Sequence, residues 1–161
     1  MKRSMDGMKK PEVRTRPAQS DATLDAMIGY NLRRASAFAL NDFAVALSHA
    51  FLRPVTFSML ALIDEKPGIR AAELCRLLGI KSANMVPLIA ELEERALLER
   101  DEHAKDKRVR VLHLTEAARE AMPGWWRSVV GHEDRFLHRL TKKERATLLR
   151  LLRLIWQDEQ D

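Results

Sequence analysis

The stretch that decides the fold runs from Arg70 to Leu98 and reads RAAELCRLLGIKSANMVPLIAELEERALL. Its first part predicts a short helix from the helical spacing of Leu74, Leu77 and Leu78. Gly79 follows, and glycine accepts the left-handed conformation that ends a helix. Its second part predicts another helix, with an apolar stripe formed by Leu88, Ile89 and Leu92. Two short helices joined by a tight, glycine-containing turn are typical of a helix-turn-helix.

The second helix begins with polar side chains, which are those of Lys81, Ser82 and Asn84. Asparagine can bond adenine, lysine can reach guanine, and a helix N-terminus favours a phosphate. Pro87 lacks an N–H and offers an apolar surface that can touch a thymine methyl. These residues are therefore candidates for DNA contact. Ordinary capping by Ser82 and a tolerated early proline at position 87 are the alternatives.

A β-hairpin is predicted directly after the second helix. Leu97 to Arg100 can start a strand, and Arg108 to Leu114 alternates polar and apolar residues with the period of a strand. The residues between them, 101–107, are polar apart from one alanine, as expected of a hairpin tip. A helix-turn-helix followed by a charged hairpin is a winged helix, so the expected fold is mainly α with a small β-hairpin wing.

The chain resembles the MarR family of bacterial transcription regulators. The resemblance rests on the order and spacing of several pieces and covers roughly residues 22–157: Ala72-Glu73-Leu74, Leu78-Gly79-Ile80, Leu88-Ile89-x-x-Leu92-Glu93, and Asp106-x-Arg108 leading into Leu114-Thr115. It implies a winged helix-turn-helix domain at residues 54–115 and a helical dimerisation region built from both chain ends, residues 21–53 and 116–161. Residues 1–20 are basic and interrupted by prolines, and are expected to be a flexible arm or a solvated tail.

The resemblance also implies a function, which is sequence-specific binding to double-stranded DNA as a homodimer on a pseudo-palindromic operator. Transcription would be repressed until a small-molecule effector binds. In the family's wing the arginine, here Arg108, enters the minor groove and the aspartate, here Asp106, helps to hold it. Lys105, Lys107 and Arg110 would approach phosphates. The alternative is a charged hairpin that is merely solvated.

Family members are often released from DNA by small aromatic ligands. The corresponding region here offers aromatic, sulfur-containing and arginine side chains, which are those of Tyr30, Arg33, Arg34, Phe38, Phe57, Met59 and Trp126. An arginine beside aromatic residues can hold a carboxylate while the ring packs on apolar surface. The expected effector is a small aromatic acid or its CoA thioester. Core packing of the aromatics and solvation of the arginines are the alternatives.

Three positions depart from the family's pattern. Pro87 stands where a polar or basic residue is frequent, and Ala96 stands where glycine is frequent at the end of the second helix. Alanine in a left-handed conformation is strained, so this helix end is expected to have a different shape. Cys75 replaces an alanine and is expected to be buried and inert. A thiol-responsive repressor acting through Cys75, and a winged helix used for protein–protein contact, are the alternative functions.

The flanking segments predict helices. A first helix is expected from Asp21 or Thr23 to about Leu52, and a short one from Thr56 to Glu65. After Thr115 another should run to about Leu140, with a kink at about residues 121–124 because Pro123 removes a backbone hydrogen bond. Thr141 and Glu144 form a capping box for the last helix.

Composition excludes several classes of protein. The net charge of +5 predicts affinity for polyanions, nucleic acid first. His132 and His138 do not have zinc spacing, and His132, Glu133 and Asp134 should fan outwards, so no metal and no cofactor are expected. The chain carries neither a phosphate-binding loop nor a nucleophile elbow, so it is not expected to be an enzyme. With one cysteine, no apolar run that could span a membrane and no secretory signal, it is expected to be cytoplasmic.

Overall fold

The computed structural model describes residues 23–103 and 106–157, with the side chain of Asp106 left out. They fall in two compact units whose boundary lies between Arg34 and Ala35. The expected arm at residues 1–20 and Lys105 lie outside the described residues. The helices and strands, in chain order, are a 3₁₀ turn at Leu24–Ala26, α1 at Ile28–Ala46, a 3₁₀ turn at Ser48–Ala50, α2 at Pro54–Glu65, α3 at Ala71–Leu78, α4 at Ser82–Glu94, β1 at Leu98–His103, β2 at Asp106–Leu114, α5 at Glu116–Phe136 and α6 at Lys142–Trp156.

The first long helix is shorter than the sequence predicts. Met27 has extended backbone angles and separates the first 3₁₀ turn from α1. At the other end α1 stops at Ala46, and Phe51 adopts a left-handed conformation after a second 3₁₀ turn. The 19 residues of α1 span about 28 Å, against the roughly 45 Å of the expected helix. The prediction was wrong because apolar residues continue at helical spacing into the segments on either side of α1, where the backbone is not α-helical.

The helix-turn-helix is confirmed as α3 and α4. Gly79 has a φ of 62°, and the N–H of Ile80 donates to the carbonyl of Cys75 at 2.9 Å. Left-handed glycine closing a helix in this way leaves room for the chain to turn at once into the next one. Ser82 is the first residue of α4 rather than its N-cap, so the capping alternative for Ser82 is wrong. The N-cap is Lys81, whose side chain makes no capping hydrogen bond.

One hydrophobic core holds the helix-turn-helix against α2, the wing and α5. Its buried members come from each of these elements: Phe57, Leu60 and Ile63 of α2, Leu74 of α3, Ile89 and Leu92 of α4, Leu98 of β1, Leu112 and Leu114 of β2, and Met122 and Trp125 of α5. Ile69, between α2 and α3, forms a single antiparallel bridge with Leu112 of β2. The core therefore fixes the orientation of α4 and of the hairpin together.

The wing has longer strands than the sequence predicts. β1 and β2 are antiparallel, and Leu98 pairs with Leu114 at their base. Residues 101–103 and 106–107, which were expected in the tip, belong to the strands. The alternating pattern did not reveal this because charged side chains occupy both faces of the outer half.

The last two helices begin where the sequence predicts. The hydroxyl of Thr115 accepts from the N–H of Ala118, and Thr141 and Glu144 form the predicted capping box. α5 ends at Phe136 rather than near Leu140, and it continues through Pro123 and Gly124. α6 carries no buried residue.

Within residues 23–103 and 106–157, no helix combines the length and the apolarity that crossing a bilayer requires.

Candidate nucleic-acid interface

Helix α4 presents its predicted DNA-contact residues to solvent. Lys81, Ser82 and Asn84 are exposed at its start. The opposite side is anchored in the core by Met85, Ile89 and Leu92, each at most 4% exposed. Because the inner stripe is fixed by packing, the polar start projects outward without costing any buried contact.

Pro87 lies inside α4, in its second turn, and is exposed. The helix already begins at Ser82, so it does not start late to accommodate the proline. The carbonyl of Ala83 therefore lacks the backbone donor that residue 87 would ordinarily supply. Val86, beside Pro87, is also exposed and was missed by the sequence analysis. Its position off the stripe of Leu88, Ile89 and Leu92 was the signal that could have identified it.

The C-terminal half of α4 is acidic, and arginines from neighbouring elements bind it. Glu91 forms an ion pair with Arg53, and its carboxylate lies 3.9 Å from Arg95. Glu93 lies 2.7 Å from Arg100 of β1. These contacts tie α4 to the start of α2 and to the wing. They also offset negative charge that would repel a phosphate backbone.

Arg95 also holds the connection between α1 and α2. Its guanidinium donates to the carbonyl of Ala50 at 2.5 Å and to that of Phe51 at 3.1 Å. The backbone of Phe51 is left-handed with a φ of 48°, which is uncommon for an aromatic residue. The C-terminal end of α4 thus fixes the position of this connection.

The wing places Lys107, Arg108 and Arg110 in exposed positions on β2. The pairing register shifts between Glu102 and His103, so Arg108 lies in an irregular part of the ladder. Such irregularities re-aim side chains at hairpin ends. Arg110 pairs with Glu102 at 3.5 Å. Lys105 and the side chain of Asp106 lie outside the described residues, and the proposed pairing of Asp106 with Arg108 remains a prediction.

The predicted effector residues are distributed over both units of the chain. In the first, the guanidinium carbons of Arg33 and Arg34 lie 5.6 and 5.9 Å from the ring centre of Tyr30, and Arg34 donates to its hydroxyl at 3.0 Å. In the second, Phe57 and Trp126 pack edge to face at 5.0 Å.

The remaining predicted effector residues differ in accessibility. Phe38 is exposed, whereas Met59 is completely buried. A ligand can therefore reach the Phe38 side chain directly, but it can reach Met59 only if neighbouring side chains move.

A polar cluster that joins α1 to α5 was missed by the sequence analysis. His132 is only 5% exposed. Its Nδ1 lies 2.7 Å from the carboxylate of Asp42, to which Arg135 also donates at 3.0 Å. Hydrogen bonds from His132 and then Arg135 lower the pKa of Asp42 below its ordinary value of 3.8. Phe43 and Phe136 provide a ring-lined site for the imidazole.

Two further predictions concern metals and thiols. Among the residues that the structure describes, no group of histidine, cysteine and acidic side chains could hold a metal ion. Cys75 was expected to be buried. It is half-buried instead and packs against the core.

The exposed start of α4 and the cationic hairpin define a winged helix-turn-helix protein that binds DNA. A family model described as MarR family matches residues 52–109. A structure of the transcriptional repressor CouR bound to a 23-mer DNA duplex is 32% identical with a TM-score of 0.78, over 84% of this chain and 99% of that one. The chain belongs to the MarR family, and it is a DNA-binding transcriptional regulator rather than an enzyme.

Two other relatives extend this comparison. A structure of CouR bound to p-coumaroyl-CoA is 32% identical with a TM-score of 0.75, over 82% of this chain and 93% of that one. A protein of Thauera aromatica assigned as transcriptional regulator for the hcr operon is 27% identical over 155 residues, which is 92% of this chain and 93% of the relative. The similarity thus extends well beyond the helix-turn-helix.

Proposed function

We propose that this regulator binds a pseudo-palindromic operator as a homodimer and represses transcription until an effector releases it. The observation that carries the proposal is the arrangement of α4, whose polar start is exposed while its other side is locked into the core. A helix held in this way can enter a major groove without rearrangement. The DNA duplex bound to the similar repressor CouR supports this role.

Each predicted contact has a distinct role in the proposal. Lys81, Ser82 and Asn84 meet base edges or phosphates, and Pro87 adds an apolar contact. Arg108 enters the minor groove with the help of Asp106, because a narrow minor groove attracts arginine. Lys105, Lys107 and Arg110 approach phosphates. To contact a phosphate, Arg110 must release Glu102. The ion pair between Arg110 and Glu102 is exposed and therefore weak.

The proposed homodimer uses α6, which has an apolar surface and no buried residue. Leu154 and Ile155 are 60% and 61% exposed. Apolar surface of this extent marks a contact with another chain. The dimer would hold two copies of α4 about 34–36 Å apart, one turn of DNA. The dimerisation region at residues 21–53 and 116–161, the DNA-binding domain at 54–115 and the basic arm at 1–20 form part of this proposal.

The proposed effector is a small aromatic acid or its CoA thioester. The similar repressor CouR binds p-coumaroyl-CoA, which supports this class. Arg33 and Arg34, beside Tyr30, provide positive charge for a carboxylate or a phosphate. Phe38, Phe57, Met59 and Trp126 remain predicted contacts for the ring. The effector can release DNA only to the extent that it prefers a shape of the dimer that does not fit the operator.

Replacing Arg108 with alanine tests the wing. We expect Arg108→Ala to weaken operator binding by about tenfold and to leave the melting temperature unchanged, because the side chain is exposed. The operator would first be selected from a random DNA pool, and binding measured by fluorescence anisotropy at several salt concentrations. Arg127→Ala, which removes an equal charge from an exposed position of α5, is the matched control. Equal affinities for the two variants would refute the role of the wing.

The effector is tested with the same operator complex. We expect aromatic acids or their CoA thioesters to release the protein at concentrations where free CoA does not, and Arg33→Ala with Arg34→Ala to reduce that release without reducing operator affinity. Release that is identical in the double variant would contradict the assignment of these arginines. Failure of every aromatic acid and thioester would contradict the effector class.

A further inference from the structure

Helix α4 carries a second apolar stripe on the side that faces solvent. Its members are exposed and follow the spacing i, i+3, i+4 and i+7, which places them on one face of a helix: Ala83, Val86, Pro87 and Ala90. Val86 is 62% exposed. The first apolar stripe, on the opposite side, is the one buried in the core.

Folding does not explain the outer stripe. Valine and proline are poorer helix formers than the lysine, glutamate or glutamine that an exposed helical position usually carries. Val86 adds little to the core, where its neighbours Met85 and Ile89 are buried. A valine beside a proline on an exposed helical face therefore does little to stabilise the fold, and it provides an apolar surface that a ligand can contact.

The surroundings of the stripe favour duplex DNA as that ligand. Lys81 and the positive end of the helix dipole lie at the N-terminus of α4. The wing supplies Lys107, Arg108 and Arg110, all exposed. Of the three glutamates at the other end, Glu91 pairs with Arg53 and Arg95, and Glu93 pairs with Arg100. A protein partner would not need cations on both flanks, whereas a phosphate backbone does.

In the major groove, the apolar group on the edge of a base pair is the C5-methyl group of thymine. Neither the isopropyl group of Val86 nor the ring of Pro87 can donate or accept a hydrogen bond. Their complement in DNA is therefore a methyl group rather than a base edge that offers hydrogen bonds.

We propose that Val86, with Pro87 beside it, selects operators by packing against thymine methyl groups, so that α4 reads sequence largely through apolar contact. This inference rests on the proposed operator binding and adds the feature of the operator that is recognised. Polar readout is then confined to the first turn of α4, at Lys81, Ser82 and Asn84. The selected half-site should contain at least one thymine whose methyl group determines affinity.

Substituting deoxyuridine for thymine tests the inference, because it removes the methyl group and keeps every hydrogen-bonding atom. Each thymine of a selected operator would be replaced in turn, and binding of the full-length protein measured by anisotropy. For the wild type we expect at least one replacement to weaken binding about fourfold, the loss that corresponds to one buried methylene-sized group. In Val86→Ala the same replacement should lower the logarithm of the affinity by less than half as much as it does in the wild type.

Val45→Ala is the matched control, since Val45 is an exposed valine of α1. It should show the wild-type response to deoxyuridine. If every replacement leaves wild-type binding unchanged, the inference is overturned while operator binding stands. The same holds if Val86→Ala and Pro87→Ala both respond like the wild type. If no duplex is enriched from the random pool, operator binding itself fails, which separates that failure from failure of the methyl contact.

Discussion

Ala96 has a φ of 52° at the end of α4, where a residue without a side chain would be unstrained. Its carbonyl accepts from the hydroxyl of Thr115 at 2.8 Å, and the N–H of Leu97 donates to the carbonyl of Leu92 at 2.9 Å. These bonds hold the chain in a left-handed turn despite the methyl group. The expectation that the alanine changes the shape of this helix end was wrong, because tertiary contacts enforce the turn.

The strain at Ala96 predicts the effect of a substitution. Ala96→Gly should raise the free energy of unfolding by about 1 kcal/mol, because a left-handed alanine is disfavoured by roughly that amount. Urea denaturation would measure the change. Ala44→Gly, in the exposed interior of α1, should instead lower stability by about 1 kcal/mol. A loss of stability in both variants would show that position 96 carries no strain.

The surroundings of some side chains could be predicted from the sequence, and those of others could not. Lys81, Ser82 and Asn84 were predicted to be accessible because they precede an apolar stripe, and they are. The burial of His132 was not predicted, because its site is built by Asp42 and Phe43, which lie far away in the chain. Local spacing reports which face of a helix is apolar, but it does not report which distant side chain meets a polar residue on that face.

At the scale of the elements, the Asp42 carboxylate links α1 to α5 through His132 and Arg135. Its pKa is lowered by hydrogen bonds from these two residues, so the ionised form stabilises the folded state. This contribution is complete above the ordinary pKa of 3.8 and is lost as the pH falls through the lower folded value.

Asp42→Asn should remove that dependence. We expect the difference in unfolding free energy between the wild type and Asp42→Asn to be constant above about pH 5 and to shrink as the pH falls below the ordinary carboxyl pKa. Chemical denaturation at a series of pH values would show this. Glu94→Gln, which neutralises an exposed carboxylate, is the comparison. A difference that stays constant down to low pH would mean that Asp42 does not stabilise the fold through its charge.

The elements themselves were largely predictable. Gly79 marked the C-terminal end of α3, and Thr115 and Thr141 marked the starts of α5 and α6, because glycine and capping signals are local and strong. The first helix was predicted about half as long again as it is, since apolar spacing alone cannot distinguish a helix from the 3₁₀ turn at Ser48–Ala50. The hairpin was recognised, but its register was not, because charged residues give no alternation.

At the scale of the whole molecule, the proposed homodimer depends on the exposed apolar surface of α6. Leu154→Lys should weaken the proposed homodimer, because it places a charge in the apolar surface. Light scattering should then give a mass near the 18.5 kDa of one chain, and operator affinity should fall. Ala72→Lys adds the same charge at an exposed position of α3, outside the proposed dimerisation region, and should leave the mass unchanged. A wild-type protein with the mass of one chain would refute the homodimer.

The pairing of Arg53, Arg95 and Arg100 with Glu91 and Glu93 has a consequence for the response to salt. Partly exposed ion pairs of this kind weaken as ionic strength rises, because dissolved ions screen them. The attachment of α4 to the start of α2 and to the wing should therefore be firmest at low ionic strength.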